Sequence, residues 1–195
     1  MKVLIATGEF GEDLEVYYAV HRLREAGIEP VVAAPVKKRL QLVVHDFEPG
    51  LDSYTEKFGH TIEADISYDD VEPEDYDAIL IPGGRAPEEL RRYPKVLSIV
   101  RHFILQDKLI GAICHGPMLL YAAGSIENVE LTCYEGIRTE VEMAEAPYVD
   151  KEVVVSKNFV TSRGWGDMGP FFREFIARLK QTSASHSSFA AAAGE

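Results

Sequence analysis

The sequence predicts an α/β fold in which a mostly parallel sheet carries helices on both faces. Short apolar runs, typical of strands buried on both sides, alternate along the chain with segments whose apolar residues recur at helical spacing. Glycine or proline closes several of these segments and separates one element from the next. Such an alternation of strand and helix is the pattern of a parallel sheet connected through helices.

Six strands are predicted for the sheet. The first four are runs without a polar residue, as expected for strands covered on both sides. The last two flank a turn at Lys157-Asn158 and are expected to pair with each other. In order, the predicted strands are residues 3–6, 31–34, 78–81, 109–113, 153–155 and 159–161.

The predicted helices lie between these strands and after the last one. Apolar residues at helical spacing mark the longer helices. Gly27 and Gly124 end two of them, and Pro87 and Pro94 open two others. In order, we expect helices over residues 13–26, a short one from 87, one from 94, and two over 115–123 and 171–179.

Two segments fall outside this alternation. Residues 37–76 are polar and turn-rich, and weak alternation around residue 43 predicts a small hairpin excursion near residues 40–65. Residues 181–195 are rich in serine and alanine without a core pattern, so we expect a frayed or disordered tail. Residues 1–180 are therefore interpreted as one domain.

The composition is that of an acidic globular protein. Hydrophobic residues make up 46% of the 195 residues and charged residues 27%, which excludes a wholly disordered chain. The 20 basic and 32 acidic residues give a formal charge of -12, which argues against nucleic acid or an anionic membrane as a partner. The two cysteines are too few for a disulfide framework. With no targeting or membrane-spanning stretch visible, we expect a cytoplasmic protein.

Three predicted strands should end at one edge of the sheet, where open parallel sheets bind their ligands. The first strand leads into acidic residues that include Glu12, and the third leads into Gly83 and Gly84. The fourth leads into Cys114 and His115. This edge therefore combines carboxylates, flexible backbone amides, and a thiol beside an imidazole.

Cys114 is the strongest candidate for a reactive residue. It stands at a strand-to-helix turn, from which a side chain projects beyond the sheet edge. The helix that follows should favour the thiolate at its N-terminus. Most free cysteines are small buried hydrophobes, but the position at this turn favours a nucleophile. His115 could serve as base, proton carrier or substrate ligand, or could only cap its helix.

Carboxyl and amide groups near this edge could assist the thiol. Glu12 can reach the same edge, and a carboxyl group beside a thiolate would have a raised pKa suited to proton transfer. Asp13 and Glu15 are interpreted as charges of the first helical turn. A backbone amide at Gly84 could bind an oxyanion.

Other residues give weaker signals. His45 and His60 are separated by a turn-rich stretch without Cys or His companions, so no metal site is predicted there. Cys133 has no such turn and is interpreted as structural. Trp165 could line a pocket or cover the core.

These residues resemble the ThiJ/PfpI superfamily, which includes PfpI-type intracellular proteases, protein deglycases and glutathione-independent glyoxalases. The resemblance covers about residues 1–180, and the stretch 45–60 is similar to an insertion in the branch with plant glyoxalase-type members. The matching motifs are Glu12-Asp13-x-Glu15, Tyr76-Asp77-Ala78, Ile81-Pro82-Gly83-Gly84-Arg85-Ala86-Pro87-Glu88, Ala112-Ile113-Cys114-His115-Gly116-Pro117 and Thr161-Ser162-Arg163.

The resemblance implies a flavodoxin-like fold with Cys114 as nucleophile and Glu12 as its carboxyl partner. It also implies that His115 completes the site and that the backbone amides of Gly84 and His115 form an oxyanion hole. In PfpI-type proteases the glutamate matching Glu88 reaches the histidine of a neighbouring subunit, so a homo-oligomer (dimer, trimer or hexamer) is expected. Family members often have a proline soon after Ser-Arg, and its absence here leaves the substrate open.

Three functions remain open on the sequence. The leading hypothesis is a glutathione-independent glyoxalase without a cofactor, in which Cys114 adds to a 2-oxoaldehyde such as methylglyoxal and Glu12 moves protons through an enediol to a 2-hydroxy acid. Glycated thiols and amines present the same adduct, so deglycation could share the site. The alternatives are an intracellular cysteine peptidase with His115 as base, and a redox-responsive or chaperone-like stress protein whose Cys114 oxidises.

Overall fold

A central sheet organises the chain, which a computed structural model describes over residues 1–124 and 126–192, with side chains described as far as Thr182. Seven strands form this sheet and two others form a separate hairpin. The strands are β1 (Lys2–Ala6), β2 (Glu29–Ala34), β3 (Arg39–Asp46), β4 (Thr55–Glu63), β5 (Ile66–Ser67), β6 (Ala78–Ile81), β7 (Leu109–Ile113), β8 (Val154–Ser156) and β9 (Phe159–Ser162).

The strand order confirms the predicted α/β class with a mostly parallel, flavodoxin-like sheet. The order is β5-β2-β1-β6-β7-β9-β8, and only β8 runs antiparallel to its neighbour. Strand β5 was not predicted, because two paired residues are too short to leave a pattern in the sequence. The carboxyl ends of β1, β6 and β7 lie side by side, as the sequence indicated.

Helices cover both faces of the sheet. Along β1, Val3 and Ile5 pack in the same core as the inner sides of the first and last helices, whereas Leu4 and Ala6 pack in the core of the opposite face. This alternation is the two-sided burial that the apolar strands predicted. The helices are α1 (Asp13–Glu25), α2 (Ala86–Leu90), α3 (Pro94–Leu105), α4 (Pro117–Ala123), α5 (Arg138–Met143) and α6 (Met168–Ala192). Among these described helices, none is long and apolar enough to cross a membrane.

The last helix is longer than expected. We predicted a helix over residues 171–179 and a tail from 181, but α6 continues to Ala192. Its first half packs three fully buried phenylalanines against the sheet, including Phe175. Residues 181–192 include four alanines, and alanine has the highest helix propensity, which favours continuation of the helix. Residues 193–195 of the expected tail lie outside the described residues.

The predicted hairpin exists and is attached to the edge of the sheet that carries the candidate residues. Strands β3 and β4 pair antiparallel between Arg39 and Glu63. The hairpin joins the loop after β1 through two backbone hydrogen bonds: the Phe10 N–H donates to the Gln41 carbonyl (2.8 Å) and the Val43 N–H to the Gly11 carbonyl (3.0 Å). It therefore stands beside the carboxyl ends of the strands as an additional wall.

Candidate active site

Cys114 occupies the sharp turn between β7 and α4. Its φ of +56° lies in the left-handed region, which costs a non-glycine residue roughly 1–2 kcal/mol. The Gly116 N–H donates to the Ile113 carbonyl across this turn (2.7 Å). Backbone strain of this kind persists only where the surrounding structure imposes it, and it is common at active sites. The strained turn therefore marks Cys114 as a candidate functional residue. The side chain is 8% exposed and lines a cavity.

Of the two carboxyl groups near Cys114, Glu15 raises the pKa of the thiol more than Glu12 does. Its side chain is fully buried, and its Oε2 accepts the Gly83 N–H at 2.6 Å. Its charge is, after burial, the next cause that raises the pKa of the Cys114 thiol, so the carboxyl group lies near the sulfur. Glu15 does lie in the first turn of α1, as interpreted, but its side chain is buried near the sulfur and does not serve only as a helix charge. Glu15 lies one helical turn before the buried Ala19, on the inward side of α1.

Burial changes the ionisation of both groups. It is the main cause that raises the pKa of Glu15 from 4.5 to about 8, with the charge of Glu12 adding to the shift. Burial, followed by the Glu15 charge, also raises the pKa of the Cys114 thiol well above its ordinary value. Both groups therefore favour their protonated forms at neutral pH. The expected stabilisation of the thiolate by the short helix α4 does not outweigh this burial.

Backbone amides oppose the shift at the sulfur. The amides of His115 and Gly84 both act to lower the pKa of Cys114, so both face its sulfur. These are the two amides expected to form an oxyanion hole. The approach is close, because a Cβ added at Gly83 would lie 2.7 Å from the Cys114 Cβ and 2.8 Å from the His115 nitrogen. Only glycine allows β6 to end this near to the nucleophile's turn.

Glu12 stands at the start of α1 and lines the cavity. Its Oε2 accepts the Glu15 N–H at 2.8 Å, and its side chain is fully buried. Burial is the main cause that raises its pKa from 4.5 to about 7. Glu12 and Glu15 are thus two protonatable carboxyl groups beside Cys114, of which Glu12 reaches the cavity wall.

His115 lies directly against the sulfur. Its Nδ1 is 3.3 Å from the Cys114 Sγ, and the ring packs on Tyr134 with centroids 5.0 Å apart. Burial, assisted by His45, lowers the pKa of His115 to about 4. The imidazole is therefore neutral at neutral pH, and the imidazolium form needed by a strong base is disfavoured.

Glu88 lies on α2 at the border of the site. It is partly buried, and its backbone N–H donates to the Arg85 carbonyl at 3.0 Å. Within the described chain its side chain makes no hydrogen bond to His115. The role expected for Glu88 concerns a neighbouring subunit, so it stays a prediction.

The cavity above Cys114 has a volume of about 400 Å³. This volume lies in the range of small-molecule sites, roughly 300–1,000 Å³. The hairpin supplies one wall through His45, Phe47 and Tyr54, and the loop after β9 supplies another through Trp165. The Trp165 Nε1–H donates to the His45 carbonyl at 3.1 Å and joins the two walls. Trp165 therefore lines the pocket, one of the two roles that the sequence left open.

Charged residues surround the far end of the cavity. Arg163 donates to Asp167 at 2.7 Å and to Asp150 at 2.9 Å, so its charge is already paired.

Cys133 is fully buried as a free thiol, and burial raises its pKa to about 12. Across the part of the chain that the structure describes, no group of three or more His, Cys, Asp or Glu side chains is placed to hold a metal ion.

Comparisons with known proteins find relatives of similar sequence and similar fold. Deglycase PfpI from Pyrococcus furiosus is 38% identical over 180 residues, which cover 92% of this chain and 100% of the relative. The DJ-1beta structure from Drosophila melanogaster has a TM-score of 0.77 at 26% identity, covering 91% of this chain and 89% of that chain. A two-domain protein from Anabaena variabilis, with DJ-1/ThiJ/PfpI-like and ferritin-like domains, has a TM-score of 0.81 at 29% identity, covering 92% of this chain and 48% of that chain.

The sequence profile of one family extends over nearly the whole domain. It matches residues 1–178, which include every residue of the site described above and all seven strands of the central sheet. The chain belongs to the DJ-1/PfpI family.

Proposed function

We propose that this chain is a cysteine-dependent enzyme that converts 2-oxoaldehydes, and their adducts on thiols and amines, into 2-hydroxy acids without glutathione. One observation carries the proposal: Cys114 opens into a small cavity between two buried carboxyl groups whose pKa values lie near neutrality. Groups with such pKa values can both accept and return protons at neutral pH. Relatives named deglycases, including the one from Pyrococcus furiosus, support the adducts as substrates.

The first step is addition of the Cys114 sulfur to the aldehyde carbon, C1. In the ionised form of Glu15, which a pKa of about 8 leaves accessible near neutral pH, the carboxylate takes the thiol proton as the sulfur attacks. The amides of His115 and Gly84 favour the negative charge that develops on the sulfur. The same amides then face the oxygen of C1 as it becomes an alkoxide. Glu15 gives this oxygen its proton, and a hemithioacetal results. In an adduct on an amine or thiol, the Cys114 sulfur attacks the same carbon, C1. The amine or thiol then leaves C1 as the C1–S bond forms.

The second step moves hydrogen from C1 to the neighbouring carbon, C2. Glu12 removes the C1 proton, the electron pair forms a C1–C2 double bond, and the C2 oxygen takes a proton from water to give an enediol. Glu12 returns its proton to C2 while the C1 hydroxyl gives its proton back to water, which leaves a thioester on Cys114. A pKa of about 7 suits Glu12 to both halves of this exchange. Water then cleaves the C1–S bond and releases the 2-hydroxy acid.

The shape of the site favours a small substrate over a peptide. Aromatic side chains of the hairpin and of Trp165 enclose the approach to Cys114. A peptidase would also need His115 as a base, and its pKa of about 4 makes it a weak one. The peptidase alternative further requires a neighbouring subunit to supply Glu88. Sedimentation measures the oligomeric state of the wild type and of Glu88→Gln, and so tests that requirement.

Lactate formation from methylglyoxal in the absence of glutathione tests the proposal. We expect turnover by the wild type and a loss of at least about 100-fold in Cys114→Ala, Glu15→Gln and Glu12→Gln, the scale of nucleophilic and acid–base contributions. Cys133→Ala, which removes the other buried thiol, should retain turnover. Lactate from Cys114→Ala at the wild-type rate would overturn the mechanism.

A second substrate separates the two activities of the proposal. The adduct of methylglyoxal with N-acetylarginine is incubated with wild type and Cys114→Ala, and release of free N-acetylarginine is followed. Faster release with the wild type supports deglycation at the same site. If neither substrate turns over but peroxide adds mass to Cys114, the redox alternative replaces this proposal.

A further inference from the structure

The hairpin brings a second imidazole to the cavity, and the steps described above give it no role. His45 on β3 is only 3% exposed and lines the same cavity as Cys114. Its neighbour Tyr54 has its ring centroid 4.3 Å from that of His45 and 5.9 Å from that of His115. The two histidines therefore flank one aromatic ring.

Glu56 fixes the tautomer of His45. The two residues stand directly opposite each other in the β3–β4 register, with the His45 Nε2 3.0 Å from the Glu56 Oε2. The same Oε2 accepts the Arg85 Nε–H at 2.7 Å. Burial acts to raise the pKa of Glu56, but these two hydrogen bonds bring it below its ordinary value, so Glu56 is an ionised acceptor. A neutral His45 then carries its proton on Nε2 and a lone pair on Nδ1.

The Nδ1 atom of His45 is buried and has no hydrogen-bond partner among the described residues. Leaving a buried polar atom unpaired is unfavourable. Such an atom beside a ligand cavity indicates a partner that arrives with the ligand. Since the lone pair is on Nδ1, that partner is a proton donor such as water or a substrate hydroxyl.

The last step, hydrolysis of the thioester, has no base assigned to it in the mechanism above. Glu12 and Glu15 carry out the proton transfers that precede the thioester, and the lowered pKa of His115 makes it a weak acceptor. An imidazole oriented by a carboxylate is a common arrangement for activating water or a nucleophile. His45 with Glu56 is such a pair, and it is carried by the hairpin rather than by the elements that carry Glu12 and Cys114.

We propose that His45 is the general base that activates water to release the product from Cys114, and that Glu56 is its positioning residue. This inference rests on the proposed function. The His45 Nδ1 takes a proton from water as the water oxygen bonds to C1 of the thioester. The C1–S bond breaks, and the imidazolium, stabilised by Glu56, returns the proton to the sulfur. Cys114 becomes a thiol again, and the 2-hydroxy acid leaves.

The variant His45→Gln tests the assignment, with His60→Gln as its matched control. His60 lies on the same hairpin, but its side chain is 81% exposed and outside the cavity lining. With methylglyoxal, His45→Gln should turn over at least about 100-fold more slowly and accumulate up to one equivalent of acyl group on Cys114. Intact mass spectrometry measures the added mass, and hydroxylamine distinguishes the thioester, which yields a hydroxamate, from the isomeric hemithioacetal. His60→Gln should match the wild type.

The outcomes separate this inference from the proposed function. If the wild type makes lactate and His45→Gln does so equally fast, or slowly but without thioester, the assignment of His45 as base is wrong while the function stands. If the wild type makes no lactate, the function itself fails. Added imidazole should restore turnover to His45→Ala but not to Cys114→Ala.

Glu56→Gln gives an independent test should the His45 variants fail to fold. It keeps the size of the side chain and an oxygen acceptor but removes the carboxylate that stabilises the imidazolium. In Glu56→Gln we expect thioester to accumulate on Cys114, but to less than one equivalent. The rate at which the Cys114 sulfur adds to methylglyoxal should not change. Wild-type turnover in Glu56→Gln, with no thioester, would overturn the pairing.

Discussion

Replacing Glu15 by glutamine should change how the stability of the protein depends on pH. Glutamine retains an oxygen that can accept the Gly83 N–H, a bond of 2.6 Å in the wild type, but it cannot ionise. The wild-type carboxyl group is fully buried, and its pKa is raised from 4.5 to about 8, mainly by burial. Folding therefore favours the protonated form of Glu15.

The sign and size follow from this shift. Because the pKa of Glu15 is higher in the folded state, its contribution is fully present below pH 4.5 and is lost as the pH rises toward about 8. Each pH unit within this window lowers the free energy of unfolding by up to about 1.4 kcal/mol. Between pH 5 and pH 8 the loss from Glu15 amounts to about 3 to 4 kcal/mol. Glu15→Gln should lack this part of the decline.

Urea denaturation at pH 5 and pH 8 measures the effect in the wild type and in Glu15→Gln. The difference between the two proteins should change by about 3 to 4 kcal/mol between the two pH values, in favour of the variant at pH 8. Glu89→Gln, which removes a carboxyl group that is 67% exposed, serves as the control and should follow the wild type. Parallel pH dependence of wild type and Glu15→Gln would refute the reasoning that Glu15 is buried in its protonated form.

Three further predictions concern the turn at the nucleophile and the core below it. Gly83→Ala places a Cβ 2.7 Å from the Cys114 Cβ and should lower stability by about 1–3 kcal/mol and abolish most lactate formation. Gly169→Ala, with open space around it and outside the cavity lining, should lower neither in denaturation and turnover assays. Cys114→Gly should be at least as stable to urea as Cys114→Ala, because glycine relieves the φ of +56°; a markedly less stable glycine variant would contradict the strain. Phe175→Ala should lower the free energy of unfolding by about 3–5 kcal/mol, since the ring is fully buried under the sheet; a loss below 1 kcal/mol by urea denaturation would count against that packing.

The sheet could be predicted because its strands leave a strong pattern. Residues 109–113 are apolar throughout and form β7, and Cys114 lies in the turn directly after this strand, as the sequence indicated. Short elements were missed for the opposite reason. Strand β5 has two residues and α5 has six, and neither contains enough periodic residues to stand out from a loop.

The choice between carboxyl groups could not be made from the sequence. Glu12 and Glu15 lie three residues apart at one helix start, and both are acids in a position where exposed acids are common. Their roles depend on where α1 begins and how it is rotated against the sheet. Since α1 begins at Asp13, Glu12 becomes its N-cap and Glu15 faces inward toward the sulfur.

The hairpin residues were also beyond sequence reasoning, because their neighbours are distant along the chain. From the sequence, His45 and His60 could be weighed only as a metal site, and no such site was predicted. In the structure His45 pairs with Glu56 across the hairpin, and Glu56 in turn joins Arg85 after β6. A cross-strand partner depends on the register, and the weak alternation around residue 43 does not specify one.

Trp165 gives the cavity an optical signal of its own. It is the only tryptophan among 195 residues, and its indole N–H is bonded to the hairpin carbonyl of His45. When tryptophan is excited selectively, the fluorescence of the intact chain therefore comes from Trp165 in the wall of this site. The emission reports the polarity and the quenching groups around the indole, so a molecule that enters the cavity, or a hairpin that moves away from the loop after β9, changes the emission of a protein that carries no label.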